Sequence, residues 1–253
     1  MTGGVSGLIL AGFGLVAGIG VTAVGPGGVL VTVGLFLAAG LSPAGVAGTG
    51  IVTHLATGGL GSVAYHRSGQ LRHPGTRRIA LVLVITAAAG TPVGVVVNSA
   101  ASGQLFGVLL AVFLVAVAAL VWLRSPRDDT GDAHPHHRLP LLICMGLGIA
   151  IIGGMFGVGG PLLTVPLLVL AGTPVLAALG AAQVQSVAVA ISGSMSYLSR
   201  GTIDWRLALV VGVPELCGAL IGWKLAHAVS PRVLRPAMIV ALVISAGLIG
   251  IHG

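Results

Sequence analysis

The chain has 253 residues, of which 56% are hydrophobic and only 7% are charged, and its mean hydropathy is +1.10. Because a soluble globular chain is about one quarter charged, this composition excludes an ordinary soluble domain and predicts an all-α polytopic membrane protein. The apolar runs do not alternate as the strands of a membrane barrel do. The net charge is +7, but the basic residues lie mostly between apolar runs, where they orient a membrane protein. We therefore expect no nucleic-acid partner.

The first half of the chain, residues 1–123, contains four long apolar runs and one short one. The short run, residues 29–41, would be roughly 20 Å long as a helix. It cannot cross a hydrocarbon core of ~30 Å alone, so we predict a half-helix or one arm of a re-entrant hairpin. The helices predicted in this half cover residues 7–24, 29–41, 44–65, 78–97 and 104–122.

A hydrophilic stretch, residues 124–138, precedes the second half, residues 139–253. We expect it to be a cytoplasmic linker between two repeats, each with a glycine-broken helix pair and three further helices, or roughly eight to ten helical segments in all. The linker carries His134, His136 and His137. Short histidine tracts bind metals adventitiously, so we predict no functional metal and no cofactor. The helices predicted in the second half cover residues 139–156, 161–171, 177–198, 205–227 and 233–251.

The two halves carry the same sequence pattern at a spacing of 132 residues. Nine of sixteen positions in residues 25–40 are identical to those in residues 157–172. The chain is therefore predicted to consist of two homologous repeats. The loop at residues 66–78 is rich in arginine, whereas its counterpart near Arg200 is poorer. This difference favours halves that are inverted relative to each other, as in many secondary transporters, with a parallel repeat as the alternative.

A glycine-rich break opens the short run of each half. Glycine lets the backbone leave helical geometry, and Pro161 favours the first turn of a new helix. Such a helix start has free N–H donors and a positive dipole end, and both attract anions. We predict that the breaks contact a small anion, with close helix packing as the alternative. The glycines of this predicted site are Gly25, Gly27, Gly28, Gly157, Gly159 and Gly160.

Polar residues interrupt the third predicted helix of each half. Such side chains face the bundle interior or a cavity, because their exposure to lipid is costly. We predict that they donate hydrogen bonds to the same anion. The alternative is interhelical packing, which we favour for Gln185 and Ser186. The residues are Thr49, Thr53 and His54 in the first half and Gln183, Gln185 and Ser186 in the second.

Glu215 is the one acid that lies well inside an apolar segment, directly after Pro214. An ionised side chain at the centre of a bilayer costs about 2.5–3.5 kcal/mol on insertion scales, so Glu215 should be protonated, paired or hydrated. We name it as the candidate for carrying a coupling proton. The alternative is a structural carboxyl group that hydrogen-bonds to the backbone beside Pro214. The corresponding part of the first half, near Pro92, holds no acid, so the duplicated frame does not require one.

The paired breaks resemble those of the TauE/SafE family of membrane transporters. The resemblance rests on GVGGPLLTVP at residues 157–166, its counterpart at residues 25–34, SMSY at residues 194–197 and GTIDW at residues 201–205. The first break departs from the pattern, because Pro26 lies inside the glycine run and Gly34 stands where the second break has Pro166. The family is associated with export of sulfite and small organosulfonates, and some members are linked to other small anions.

The resemblance and the two breaks together imply a secondary transporter of the inner cell membrane and not an enzyme. We expect it to export a sulfur oxyanion, sulfite or an organosulfonate, with thiosulfate as a further candidate. One open alternative is a proton-coupled importer of another small anion. A membrane redox or cofactor-assembly protein is disfavoured, because His54, His227 and His252 are the only histidines outside the loop and the linker. The lipid bilayer is the expected surrounding, and a homodimer is one oligomeric form that the sequence permits.

Overall fold

The computed structural model describes residues 2–23, 25–123, 139–228 and 231–252. These residues form ten α-helices and no strand, so the predicted all-α fold is confirmed. The predicted linker, with its three histidines, lies outside the described residues. The helices are α1 (Thr2–Ala23), α2 (Val29–Ala38), α3 (Pro43–Arg67), α4 (Pro74–Ala100), α5 (Gly103–Leu123), α6 (Leu139–Phe156), α7 (Pro161–Leu170), α8 (Val175–Leu198), α9 (Trp205–Ala228) and α10 (Pro231–His252).

Five of the described helices, α4, α5, α6, α8 and α9, are long and apolar enough to cross a membrane. Large apolar side chains cover their outer faces, among them Leu81, Ile85, Val112, Ile191 and Leu209, each more than 45% exposed. In water such a surface would be unfavourable, whereas in a bilayer it contacts lipid. The chain is therefore built as a multi-pass membrane protein.

The helix starts follow the capping rules that their sequences imply. Ser42 caps α3 by accepting a hydrogen bond from the Gly45 N–H at 3.2 Å, and Pro43 occupies the first helical position. Asp204 caps α9 by accepting a hydrogen bond from the Leu207 N–H at 3.0 Å. A carboxylate at this position also complements the positive end of the helix dipole. These residues fix where the long helices begin.

The duplication extends to the backbone. Helices α2 and α7 begin 132 residues apart, and so do α3 and α8. Every described residue with a positive φ is a glycine, and the six of them form three pairs at this same spacing. Because residues with a side chain rarely adopt a positive φ, the sharp changes of chain direction recur at matching points in the two halves. The pairs are Gly25 with Gly157, Gly40 with Gly172, and Gly69 with Gly201.

Helices α3 and α8 form the centre of the bundle and run antiparallel to each other. The start of α3 meets the end of α8, where Gly48 packs against the ring of Tyr197. Near the other end of the pair, Gly61 packs against the side chain of Gln183. Since α3 and α8 are counterparts in the duplication, the two halves contribute the same helix to the centre in opposite directions.

Four of the remaining long helices pair between the halves along stripes of glycine. Helix α1 packs along α9 in parallel, and a Cβ at Gly18 would lie only 1.9 Å from the Glu215 carbonyl oxygen. Helix α4 packs along α6 in the same manner, and a Cβ at Gly94 would lie 2.0 Å from the Ile151 carbonyl oxygen. The absence of a side chain lets the backbones touch, as small residues do in membrane helix pairs. Each half is thereby held by the other.

The two short helices are confirmed, and each follows a glycine break. Helices α2 and α7 have ten residues each, which corresponds to about 15 Å. Helix α2 folds back along α1, since Gly34 packs against Phe13 and Gly27 lies against Ala17. The first break therefore forms the tip of a helical hairpin that reaches only partway along α3.

The second break is held by hydrogen bonds from four parts of the chain. The last four carbonyl groups of a helix have no partner within the helix, yet all four at the end of α6 accept a hydrogen bond. Three of the donors are side chains of other helices, so this helix end is fixed in the bundle. The bonds run from Val158 N–H to Gly153 O (2.9 Å), Tyr197 Oη to Gly154 O (2.7 Å), Asn98 Nδ2 to Met155 O (2.7 Å) and Thr32 Oγ1 to Phe156 O (3.0 Å).

Candidate functional site

The two glycine breaks meet each other beside the midpoints of α3 and α8. Gly25 of the first break lies about 4 Å from the carbonyl oxygen of Pro161 in the second, measured from a Cβ position on the glycine. A cavity lies between the breaks and the two central helices. The residues that line it are Val21, Gly25, Gly28, His54, Thr57, Val158, Gly159, Pro161, Leu162, Gln183 and Ser186.

The cavity is small and partly enclosed in this conformation. It offers about 10 Å³ to the centre of a water molecule, which is room for about one water. Its wall combines polar groups with apolar side chains, and no carboxylate from the described part of the chain lines it. A sulfur oxyanion is several times larger than one water, so it would enter only if the breaks moved apart.

The glycine breaks approach the central helices so closely that a Cβ atom at Gly28 or Gly159 would force a neighbouring side chain to move. A Cβ at Gly28 would lie 2.9 Å from His54 Cε1, and a Cβ at Gly159 would lie 2.6 Å from Ser186 Oγ. Real Cβ atoms do not make contacts this short. Helix α7 begins at Pro161, directly after Gly159 and Gly160, and Pro161 and Leu162 line the cavity, so the start of this helix lies beside it.

His54 and Ser186 occupy equivalent positions in the two halves and line the cavity from α3 and α8. Both are buried, with 2% of His54 and 3% of Ser186 exposed. The Nε2 atom of His54 has no hydrogen-bond partner among the described residues, and the same is true of the Oε1 atom of Gln183. Buried polar atoms without partners are uncommon. The cavity therefore offers free hydrogen-bonding capacity next to the glycine breaks.

Glu215 lies behind His54 and outside the cavity lining. Its Oε1 atom is 3.2 Å from His54 Nδ1, and the residue is 0% exposed. The contact lacks hydrogen-bond geometry, so both carboxyl oxygens are without a hydrogen-bond partner in the described part of the chain. The pair joins α9 to α3 at the level of the cavity. The predicted coupling residue thus contacts the predicted histidine, although 161 positions separate them in the sequence.

Six of the twelve residues predicted for the anion site line the cavity: Gly25, Gly28, His54, Gly159, Gln183 and Ser186. The other six do not line the cavity, and they contact neighbouring parts of the protein. Gly27 packs on α1, Gly157 on Ala47 and Gly160 on Ala182. Thr49 accepts a hydrogen bond from the Asp204 N–H (3.0 Å), Thr53 donates one to Gly50 O (2.9 Å), and Gln185 accepts one from Thr164.

Thr57 lines the cavity but was not among the predicted residues. It lies three positions after His54 on the same face of α3 and is 4% exposed. Residues three apart on a helix are neighbours on its surface, so the position of His54 itself was the available signal. The hydroxyl group of Thr57 adds a donor to the wall of the cavity.

The described residues form ten helices, two of which are short and begin at glycine breaks, and a buried polar cavity lies beside the middle of α3 and α8. These features fit a membrane transporter. The chain belongs to the sulfite exporter TauE/SafE family, whose model matches residues 10–249. This finding confirms the resemblance drawn from the glycine breaks.

Relatives of the chain are named as membrane transporters in several bacteria. A probable membrane transporter protein ORF9 from Sinorhizobium is 25% identical over 85% of this chain and 81% of its own length. The probable membrane transporter protein YunE from Bacillus subtilis is 24% identical over 96% of this chain and 95% of its own length. YdhB from the same species is 24% identical over 70% and 73%. The comparison with solved structures gave no match.

Proposed function

We propose that the chain is a secondary transporter that exports a small sulfur oxyanion, sulfite or an organosulfonate, across the inner membrane. The observation that carries the proposal is the cavity between the two glycine breaks, halfway along α3 and α8. Sites at broken helices near the middle of the bilayer are typical of secondary transporters. The choice of a sulfur oxyanion comes from the name of the family to which the chain belongs.

The anion would be bound by neutral donors and by His54. The first turn of α7 supplies N–H groups and a positive dipole end, and Ser186 and Thr57 supply hydroxyl groups. Gln183 supplies a side-chain amide, and a rotation of that amide would turn its NH2 group toward the ligand. An oxyanion accepts several hydrogen bonds at once, and donors in a dry cavity bind it more strongly than they would in water. A carboxylate in the lining would repel the anion, and Glu215 lies behind His54.

The two halves are inverted relative to each other in this proposal. Support comes from the antiparallel contact of α3 with α8, since Gly48 meets Tyr197 and Gly61 meets Gln183. The parallel pairing of α1 with α9 and of α4 with α6 agrees with it. Each hairpin tip then reaches the cavity from the opposite side of the membrane. Alternating access would follow from parting one break at a time.

The membrane potential is sufficient to drive such an export. Moving one elementary charge through 100 mV is worth about 2.3 kcal/mol. A dianion that leaves a cell with a negative interior therefore gains about 4.6 kcal/mol at this potential. Uptake of the same anion would have to overcome this electrical free energy and would therefore need a coupled ion. The buried pair of His54 and Glu215 keeps proton-coupled uptake as the second candidate function.

The proposal is tested by anion flux into proteoliposomes that contain the purified chain. Labelled sulfite, sulfoacetate, thiosulfate and sulfate are added outside, and a potential of either sign is set with potassium and valinomycin. We expect flux of sulfite or a sulfonate that speeds up when the receiving side is positive and that exceeds flux into protein-free liposomes. Protein-dependent flux of none of these anions would overturn the proposal.

A further inference from the structure

We infer that His54 and Glu215 form a proton-binding site that takes up one proton together with each anion. The inference rests on the proposed transport function and adds the coupled ion to it. Glu215 Oε1 lies 3.2 Å from His54 Nδ1, and the opposite nitrogen of the same ring, Nε2, is an unpartnered atom in a residue that lines the cavity. One imidazole ring therefore connects the carboxyl group to the place where the anion would bind.

The carboxyl group of Glu215 is held in the interior by its backbone. Pro214 directly precedes it, and the main chain at Glu215 touches α1 at Gly18, where no side chain intervenes. Of the two acids in the described part of the chain, Asp204 caps the start of α9 and Glu215 lies inside that helix. A buried pair of a carboxyl group and an imidazole is a weak source of stability compared with apolar packing. Its presence in a membrane helix indicates a functional role.

The titratable groups of the helices around the pair are few, and the one beside it on α9 is Cys217, whose side chain is exposed. Helix α1 carries none along its whole length, and α3 presents His54, while its Tyr65, His66 and Arg67 lie about three turns further along the helix. Gln183 and Ser186 of α8 are neutral, and Tyr197 lies at the far end of that helix. The charge at this depth is therefore set by His54, Glu215 and the bound anion.

The protons can be counted over one transport cycle. With the imidazole protonated and the carboxylate ionised, the pair has no net charge. A second proton, taken from water on the side where the anion enters, converts the carboxylate to a carboxylic acid and leaves the imidazolium with one positive charge. His54 Nε2–H can then donate to the anion. When the anion leaves on the other side, the carboxylic acid returns its proton to water there, and the pair is neutral again.

Binding of the anion and binding of the second proton strengthen each other. The anion favours the positively charged pair, and by linkage the charged pair favours the anion by the same factor. A dianion that leaves with one proton still carries one negative charge outward, so export remains driven by about 2.3 kcal/mol per 100 mV. The inference therefore predicts one charge moved per dianion, where an uncoupled exporter moves two.

The test uses the same proteoliposomes with the potential clamped at zero and a pH gradient imposed. Labelled sulfoacetate is the main probe, with labelled sulfite beside it, because undissociated sulfurous acid also crosses lipid unaided and must be subtracted with protein-free liposomes. With one coupled proton, a gradient of one pH unit is expected to drive accumulation to about ten times the anion concentration on the supplying side. Exchange of labelled for unlabelled anion, which needs no net proton movement, is measured in parallel.

The variant Glu215→Gln keeps the shape of the side chain and removes the ionisable group. We expect it to retain exchange and to lose the accumulation driven by the pH gradient, whereas Glu215→Asp retains part of that accumulation. Cys217→Ser is the matched control, because Cys217 is exposed on the same helix and should behave like the wild type. A residue that merely joined α3 to α9 would affect stability and leave the response to pH unchanged.

The outcomes separate the inference from the proposed function. Accumulation by Glu215→Gln at the wild-type level overturns the inference. Wild-type flux that ignores the pH gradient also overturns it and leaves the transport function standing, and this measurement decides even if Glu215→Gln does not fold. Wild-type protein that moves neither anion in either mode overturns both.

Discussion

The two halves of the chain share a backbone and differ in the side chains that face the cavity. Their six glycines with positive φ recur in pairs 132 residues apart, and their short helices have the same length. At the equivalent positions beside the cavity, however, the first half has His54 and the second has Ser186. Helix α9 carries Glu215, and its counterpart α4 has no acid. The backbone frame is therefore duplicated, and the two halves differ in the polar side chains beside the cavity.

The glycines at the breaks belong to the frame, and replacing one should have the largest effect. Gly159→Leu would push a side chain into Ser186, since even a Cβ would lie 2.6 Å from Ser186 Oγ. We expect loss of anion flux with the folded protein still recovered in detergent. Gly148→Leu is the control, because a Cβ at Gly148 of α6 meets nothing within 4 Å. Flux by Gly159→Leu at the level of the control would show that the break only packs helices.

Replacing His54 and Ser186 by alanine, one at a time, tests how much each residue contributes to anion binding. A hydrogen bond to a charged group is worth about 1.5–3 kcal/mol, so His54→Ala should weaken anion binding by roughly ten- to a hundredfold. Ser186→Ala should cost less, about 0.5–1.5 kcal/mol. Both affinities are read from anion-dependent shifts of the melting temperature of the purified protein. Equal losses at the two positions would contradict an asymmetric site.

The two tyrosines at equivalent positions give a third comparison, and it concerns stability. Tyr197 donates a hydrogen bond to the Gly154 carbonyl oxygen at 2.7 Å and is fully buried. Tyr197→Phe leaves this carbonyl unsatisfied and should cost about 1–3 kcal/mol of stability. Tyr65→Phe, the matched change in the first half, should cost less, because Tyr65 is only half-buried. Unfolding in detergent measures both, and a reversed order would show that the break after α6 does not depend on this bond.

Replacing Thr49 should have the smallest effect. It distinguishes residues that line the cavity from buried polar residues outside the lining. Its hydroxyl group accepts a hydrogen bond from the Asp204 N–H at 3.0 Å and does not line the cavity. Thr49→Val should lower stability by about 0.5–1.5 kcal/mol and leave the anion affinity at the wild-type value. If Thr49→Val weakened anion binding as much as His54→Ala, Thr49 would be part of the anion-binding site.

The helices could be predicted closely because long apolar runs, glycines and prolines mark their ends locally. The structure gives α6 the predicted bounds, and it moves the start of α8 by two residues, to Val175. Half of the predicted anion-site residues line the cavity. The others, such as Gln185 and Thr49, are buried polar residues on the same helices, and a single sequence does not tell which neighbour they bond to.

The sequence pattern does not predict which distant parts of the chain contact each other. Glu215 and His54 each stood out as polar residues in apolar runs, but their pairing depends on how α9 packs against α3. The donors that fix the end of α6 come from Thr32, Asn98 and Tyr197 on three other helices. The sequence did not mark Thr57 as a cavity residue, because a hydroxyl group inside a helix usually bonds to the backbone of its own helix. In each case the tertiary packing decides the role.

The central claim, that an anion binds where the two breaks meet, is tested most directly by locating a bound ion. Selenite resembles sulfite, and its selenium atom can be located by anomalous diffraction from crystals grown with it. The account predicts a selenium peak in the cavity, within hydrogen-bond reach of the first turn of α7, Ser186 and His54. A peak found only elsewhere, in protein that transports the anion, would contradict it.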